Sequence, residues 1–421
     1  MSLAALAGST NYSKSHLSKV ESGVKQPSAD LARRCDTALG AAGALARLAP
    51  REAGKDIVPT AADDGEIWTM NVTADGRGEF HAFNPDTALA GGVSTLMSWA
   101  GPAPGQSPGA ELTLSRFRAL LDELRRMGQV LDPGTVIQMV IPAANALRAL
   151  AARWPADGGA RASRLAARFA EYAGWMAQEQ GNEAASLWWT SQAVGMAAAG
   201  ADDDMASYAL VRRAEIALYN DDAAGAVELA RRAQLSPSRT RTQGFASQRE
   251  AQGHALAGDE WACRRALDRA AALMGSAAAE PDDGEAPLGS TTMRDPVAFV
   301  SAWCMQELGH PRHATEVLVR ELADVPPHAH RVRARYGARL AVTLASQHEI
   351  DEACRVTEPV LATAISINSA TVRHDLRLLR RALNRWRTHP EVVGIMPALT
   401  SALYTNQAPS MRYRPGAGRR N

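Results

Sequence analysis

The stretch that decides the fold is residues 164–196, which read RLAARFAEYAGWMAQEQGNEAASLWWTSQAVGM. The letters on both sides of Gly181-Asn182 are rich in Ala, Leu, Arg and Glu and contain few β-branched residues, a composition that favours helix. Gly181-Asn182 interrupts this run and indicates a turn. The stretch therefore predicts a pair of helices, Arg164–Ala177 and Glu183–Met196, joined by a short connection.

The same pattern recurs along the chain. Asp204–Leu218 and Ala223–Ala233 flank a second turn at Asp221, and Gly244–Leu256 and Glu260–Leu273 flank a third at Gly258. A period of roughly 37–40 residues between helix pairs is typical of a solenoid. Small residues stand at equivalent places, where paired helices approach closely: Gly174, Ala214 and Ala251 in the first helices, and Ala193, Ala233 and Ala270 in the second.

Weaker versions of the pattern extend the array in both directions. They predict helix pairs within Leu112–Trp154, Val297–Leu322 and Arg331–Ala364, followed by terminal helices at Ser369–Trp386 and Val392–Tyr404. The sequence therefore predicts an all-α repeat domain over residues 111–405.

The run Gly174-Trp175, followed by Gly181-Asn182-x2-Ala185-x3-Trp189-x3-Ala193, resembles tetratricopeptide repeats. It is similar to the arrays joined to DNA-binding regulators of actinobacteria. This resemblance implies a right-handed α-solenoid of helix pairs.

The first fifty residues differ from the rest of the chain. Of the four lysines, Lys14, Lys19 and Lys25 lie here, and the segment has six basic and three acidic residues. We expect short helices over residues 2–8 and 14–22, separated by a turn at Asn11-Tyr12, and a third helix over residues 29–39. Leu17 and Val20 are three residues apart and face inward, so this is a helix-turn-helix pattern with a basic outer face.

The run from Ser13 to Gly23, SKSHLSKVESG, resembles the XRE family of regulators, which are relatives of phage repressors and Cro. The resemblance implies that the helix starting at Ser13 lies in the major groove of double-stranded DNA. It implies base-edge contacts from Lys14, Ser15 and Lys19, with His16 and Ser18 nearby, and phosphate contacts from Ser13 and Lys25. Leu6, Leu17 and Val20 would hold the two helices together. We therefore expect a bacterial transcriptional regulator that binds DNA as a homodimer.

One departure from the family leaves an alternative open. Family members have a further helix before the position of Ser2, and Leu3 stands where they usually carry glutamine. We expect the upstream reading frame to encode a Leu/Arg amphipathic helix, because without it the apolar face of the unit would remain exposed to water. The alternative is a protein-interaction scaffold whose helix-turn-helix has degenerated and no longer binds DNA.

The segments outside the two domains are less regular. Residues 51–110 predict a linker with a β-hairpin at about residues 66–83, because Asp75-Gly76 lies between two alternating runs. An irregular loop is the alternative there. Residues 406–421 predict a disordered basic tail.

The concave face of a repeat solenoid is lined by the first helix of each pair and usually binds the partner. Polar and aromatic side chains at these positions would suit an extended peptide or another polar, partly aromatic effector. The alternative is an ordinary wet surface with Trp175 packed between repeats. The candidate residues are Arg168, Glu171, Trp175, Tyr208, Glu215, Gln248 and Gln252.

Other functions find no support in the sequence. It holds no phosphate-binding loop, no nucleophile motif and no His/Cys cluster with metal-ligand spacing, so we expect neither an enzyme nor a cofactor or metal. The four cysteines are far apart, which fits a reducing cytoplasm. The longest apolar run, Val136–Leu147, contains Gln138 and Pro142 and is too short to predict a membrane span.

Overall fold

The computed structural model describes residues 3–10, 14–22, 31–32, 35, 38–39, 67–72, 78–83, 109–154, 156–281 and 284–404. The chain divides into two compact units, of which the second contains the helical array. The described residues confirm an all-α fold built from a series of helix pairs. The boundaries proposed for the domains stay a prediction.

The N-terminal unit contains α1 (Leu3–Thr10) and α2 (Lys14–Glu21), which pack against each other. Leu17 of α2 is buried, as is Leu31, and the described residues between 31 and 39 are all helical. Leu6 and Val20 are half-buried. The apolar side of α2 therefore faces the core of this unit.

Two strands, β1 (Ile67–Val72) and β2 (Gly78–Phe83), pair in a two-stranded sheet. They fall within the segment where the sequence predicts a hairpin. The rest of the predicted linker and the tail after residue 404 lie outside the described residues.

The repeat domain consists of helices that alternate as first and second members of pairs. The first four pairs are α3 (Ala110–Met127) with α4 (Pro133–Ala151), α5 (Ala156–Gln180) with α6 (Glu183–Ala199), α7 (Asp204–Tyr219) with α8 (Ala223–Leu235), and α9 (Thr240–Leu256) with α10 (Glu260–Ala279). They are followed by α11 (Pro296–Glu307) with α12 (Pro311–Asp324), α13 (His330–Ser346) with α14 (Ile350–Ile367), and the terminal helices α15 (Ala370–Leu383) and α16 (Pro390–Tyr404).

Five of the turns within pairs share one backbone geometry. One residue adopts a positive φ, and the N–H of the next residue donates to the carbonyl five positions earlier, which is the closing bond of a Schellman motif. Glycine adopts this φ without strain, which explains its use at three of the five turns. The positive-φ residues are Gly181 (φ 87°), Asp221 (59°), Gly258 (77°), Gly309 (86°) and His348 (68°), and the bonds measure 2.9, 2.8, 2.9, 2.8 and 3.1 Å.

Small residues allow the paired helices to touch, as the sequence predicts. A Cβ atom on Gly174 would lie 3.2 Å from the carbonyl oxygen of Ser186 and 3.3 Å from Cβ of Trp189. The other five positions are fully buried alanines: Ala193, Ala214, Ala233, Ala251 and Ala270.

The helix α4 is longer than its apolar run suggests, because Pro142 lies inside it and does not end it. By length and composition it is long enough to cross a membrane, which corrects the expectation drawn from Val136–Leu147. Val136, Val140 and Leu147 are, however, fully buried in the array. A packed core helix of a helical protein passes the same test of length and composition.

The last helices of the array return to the first ones through a closure cluster, formed by Glu179, Arg331, Ser369 and Thr371. The Arg331 guanidinium donates to Glu179 Oε2 (2.9 Å) and to the carbonyls of Gly128 (2.7 Å) and Leu131 (2.8 Å) between α3 and α4, and to that of Ile367 (3.2 Å). Thr371 Oγ1 and Ser369 Oγ also donate to the Glu179 carboxylate. The side chains of Arg331 and Glu179 are 3% and 1% exposed.

We expect Arg331→Met to lower the free energy of unfolding by about 3–5 kcal/mol, because it leaves the Glu179 charge buried without its cation. Arg126→Met is the matched control. It breaks the ion pair of Arg126 with Glu123, which is more than half exposed, and should cost less than about 1 kcal/mol. Urea unfolding of the full chain measures both values, and equal losses would contradict the role given to the closure cluster.

Candidate functional site

The predicted DNA-facing residues lie on and around α2. Lys14, Ser18 and Lys19 are exposed, while Leu17 on the opposite side is buried. Ser15 and His16 belong to α2, but their side chains lie outside the described residues, as do Ser13 and Lys25 altogether. The arrangement presents two ammonium groups and a hydroxyl to solvent, which are donors suited to phosphate and base edges.

The repeat domain contains a partly open cavity of about 140 Å³ between the first helices of successive pairs. Helices α5, α7, α9, α11 and α13 all contribute to its wall. Six of the seven predicted ligand-binding residues line this cavity, namely Glu171, Trp175, Tyr208, Glu215, Gln248 and Gln252. Buried polar side chains make up much of the lining.

The seventh predicted residue, Arg168, does not line the cavity. Its side chain is buried and donates to the Asp202 carboxylate (2.8 Å) and to the carbonyl of Ala286 (3.0 Å). Arg168 therefore holds a neighbouring segment in place.

That segment, residues 285–293, is called the strap here. It lies in the connection between α10 and α11, which makes the interval between the third and fourth turns longer than the others. Arg125 donates to the carbonyl of Pro287 (2.7 Å), and Arg241 donates to those of Leu288 (3.0 Å) and Ser290 (2.8 Å). Arg164 pairs with the carboxylate of Glu285 (2.9 Å). Four arginines from three first helices thus anchor the strap, whose residues 289–293 line the cavity.

At Gly289 the strap lies against the ring of Phe245. Its φ is 73°, and a Cβ atom there would lie 2.7 Å from two ring carbons of Phe245. Only glycine meets both conditions without a shift of the ring or the backbone.

The cavity lining carries more positive than negative side chains. It holds six arginines and three glutamates. Arg212 pairs with Glu215 (2.7 Å) and lies 4.0 Å from Glu171, while Arg339 pairs with Asp375 (3.1 Å). Each carboxylate in the lining therefore already has an arginine partner, with Glu179 held by Arg331.

Two arginines of the lining have no carboxylate partner within 4 Å among the described residues. Arg249 donates to Gln252, and Arg335 donates to the hydroxyl of Tyr219 and lies over two tyrosine rings. The Nε atom of each is buried without a hydrogen-bond acceptor. Sequence reasoning did not select these residues, because the pattern of first-helix positions does not show which arginines lack a partner.

The pKa values of the two central carboxylates, Glu171 and Glu215, shift in opposite directions. Burial raises the pKa of Glu171, and the nearby Arg212 offsets this only in part. For Glu215 burial also acts to raise the pKa, but Arg249, Arg212, Arg335 and Arg339 outweigh it and lower the pKa to about 2. Glu215 is therefore ionised at neutral pH and is the negative centre of this arginine group.

Amide groups complete the polar lining. The side chain of Gln248 is fully buried, and its Nε2 atom has no acceptor; Oε1 of the buried Gln129 has no donor. Buried polar atoms normally have partners. Both residues line the cavity, and each has one buried amide atom without a hydrogen-bond partner. The described residues hold no group of His, Cys, Asp and Glu side chains fit to bind a metal ion.

We expect Gly289→Ala to destabilise the protein more than Gly258→Ala. Both substitutions force an alanine into positive φ, at about 1–2 kcal/mol. Only the first places a methyl group against the Phe245 ring, which adds about 1–3 kcal/mol of overpacking, because the space around Gly258 is open. Thermal unfolding measures the loss of stability in each variant. Equal losses would show that the strap moves to accommodate the methyl group without a free-energy cost.

The pKa of Glu215 predicts how Glu215→Gln changes with pH. Since the native pKa is about 2 and the ordinary value is 4.5, the ionised group stabilises the fold fully above about pH 4.5. This contribution is lost as the pH falls toward about 2. The difference in unfolding free energy between the wild type and Glu215→Gln should therefore be large at neutral pH and shrink in acid. Glu123→Gln, at an exposed position, should differ little from wild type at either pH.

Comparison with known proteins bears on the N-terminal unit. Residues 1–49 match the family model described as a helix-turn-helix domain. No curated protein and no solved structure matches the chain. The match covers the two described helices of the unit, including α2 with its exposed lysines. The findings therefore support a helix-turn-helix DNA-binding domain in the first 49 residues.

Proposed function

We propose that the protein is a sequence-specific, DNA-binding transcriptional regulator of the XRE family with tetratricopeptide-type repeats. The observation that carries this proposal is the helix-turn-helix match over residues 1–49. The burial of Leu17 beneath the exposed Lys14, Ser18 and Lys19 supports it, because a recognition helix needs an apolar side to dock and a polar side to read bases.

In this proposal the repeat domain senses an effector in its cavity or mediates homodimerisation. The buried polar lining supports sensing, since Gln129, Gln248, Arg249 and Arg335 hold unused hydrogen-bonding capacity. A homodimer would present two recognition helices to half-sites one helical turn apart. The protein would act in the cytoplasm, without catalytic activity and without a cofactor.

A second candidate is a protein-interaction scaffold with a degenerate helix-turn-helix. Leu3 favours it, because the half-buried leucine side chain at the start of α1 offers no hydrogen bond to a base. Selection of bound sequences from random duplex DNA separates the candidates: the regulator enriches a palindromic site, and the scaffold enriches none.

On the selected site, Lys14→Ala should reduce discrimination between the site and mismatched duplexes by about 1–3 kcal/mol, because Lys14 is assigned to base edges. Lys25→Ala should weaken binding to all duplexes alike and reduce the salt slope by about 1, as loss of one phosphate contact does. Gel shifts over a salt series measure both effects. Equal affinity of the wild type for every duplex would contradict the regulator.

A further inference from the structure

We propose that the cavity of the repeat domain binds a small organic anion, a carboxylate with a compact aromatic body, in place of an extended peptide. The inference rests on the proposed sensing role of the same cavity and names its ligand class.

The strap is the first reason. It runs along the first helices of the array, and the side chains of Arg125, Arg168 and Arg241 donate to its backbone carbonyls. These are the contacts through which side chains of a groove would hold the backbone of a bound peptide. Ala286 and Leu288 of the strap are themselves buried. The chain thus fills with its own segment the place that an extended peptide would take.

The remaining space is the second reason. The cavity measures about 140 Å³, whereas sites for larger ligands usually span roughly 300–1,000 Å³. A molecule of one ring and a short acidic arm is of this order of size.

The third reason is that the lining has more cationic hydrogen-bond donor groups than carboxylates to accept from them. Glu171, Glu179 and Glu215 are each within ion-pair distance of an arginine, whereas Arg249 and Arg335 have no carboxylate partner among the described residues. Nε2 of Gln248 adds a buried donor without an acceptor. A carboxylate placed among these three groups would accept charge-assisted hydrogen bonds from the guanidinium groups and a neutral one from the amide.

The aromatic walls suit the other end of such a ligand. Four aromatic residues of the lining form two pairs. The rings of Tyr208 and Phe245 meet edge to face with their centroids 6.0 Å apart, and the centroids of Phe299 and Tyr336 are 4.1 Å apart. Ring faces and edges in a confined space favour an aromatic or compact apolar body.

The test compares matched acid and amide probes on the full chain. Benzoate, phenylacetate, 3-phenylpropionate and indole-3-acetate are each paired with their primary amide, which keeps the shape and removes the charge. At ten times its dissociation constant, a binding carboxylate should raise the melting temperature by roughly 2–4 °C, and its amide should not. If no carboxylate raises the melting temperature more than its amide does, the inference is wrong.

Two double variants locate the site. Arg249→Gln with Arg335→Gln should weaken binding of the effective carboxylate at least about tenfold by calorimetry, because two charge-assisted bonds are lost. Arg265→Gln with Arg312→Gln removes the same charge from exposed positions and should leave the affinity unchanged. Equal losses in both variants would assign the effect to net charge and overturn the site.

The same probes separate this inference from the proposed function. A carboxylate that stabilises the chain without changing its affinity for the selected DNA site supports the anion site and contradicts the sensing role. Intact DNA binding without any carboxylate effect overturns the anion site alone. A peptide released from the purified full chain on denaturation and identified by mass spectrometry would also overturn it.

Discussion

The repeat domain depends on the buried contact between Arg331 and Glu179. One guanidinium group reaches the α3–α4 connection, the end of α5 and the end of α14 at once, so it joins segments that lie far apart in the sequence. Local Schellman turns fix five of the helix pairs, but they do not bring the last pair to the first. A buried ion pair in which every guanidinium nitrogen donates a hydrogen bond does so, and its loss leaves a charge that the interior cannot solvate.

Closure has a consequence for the proposed site, because it brings helices from different parts of the array to one partly open cavity. Helices α5, α7 and α9 supply one part of the wall, and α11 and α13 supply the other. Glu215 and Arg335 come from opposite parts of the array, and the guanidinium groups around Glu215 keep its pKa low even though burial opposes this. Neither the cavity nor its electrostatics exists in a single repeat.

Arginine serves two purposes in this domain. Arg125, Arg164, Arg168 and Arg241 hold the strap, mainly through its backbone carbonyls, while Arg249 and Arg335 face the cavity without a carboxylate partner. The sequence analysis selected Arg168 for the ligand and omitted Arg249 and Arg335. In the structure all of them lie on first helices, and only the position of the strap and of the surrounding carboxylates distinguishes the two groups.

The sequence by itself determined the helix pairs, the turns at Gly181, Asp221 and Gly258, and the small residues where helices touch, because these follow from local propensity and a repeat period. It also placed six side chains of the cavity, since solenoids expose the first helix of each pair on one face. Only the tertiary structure decided the closure through Arg331, the path of the strap and the surplus of donors in the cavity. Those features depend on which groups meet across stretches of 36 to 203 residues of chain, and no local pattern encodes such contacts.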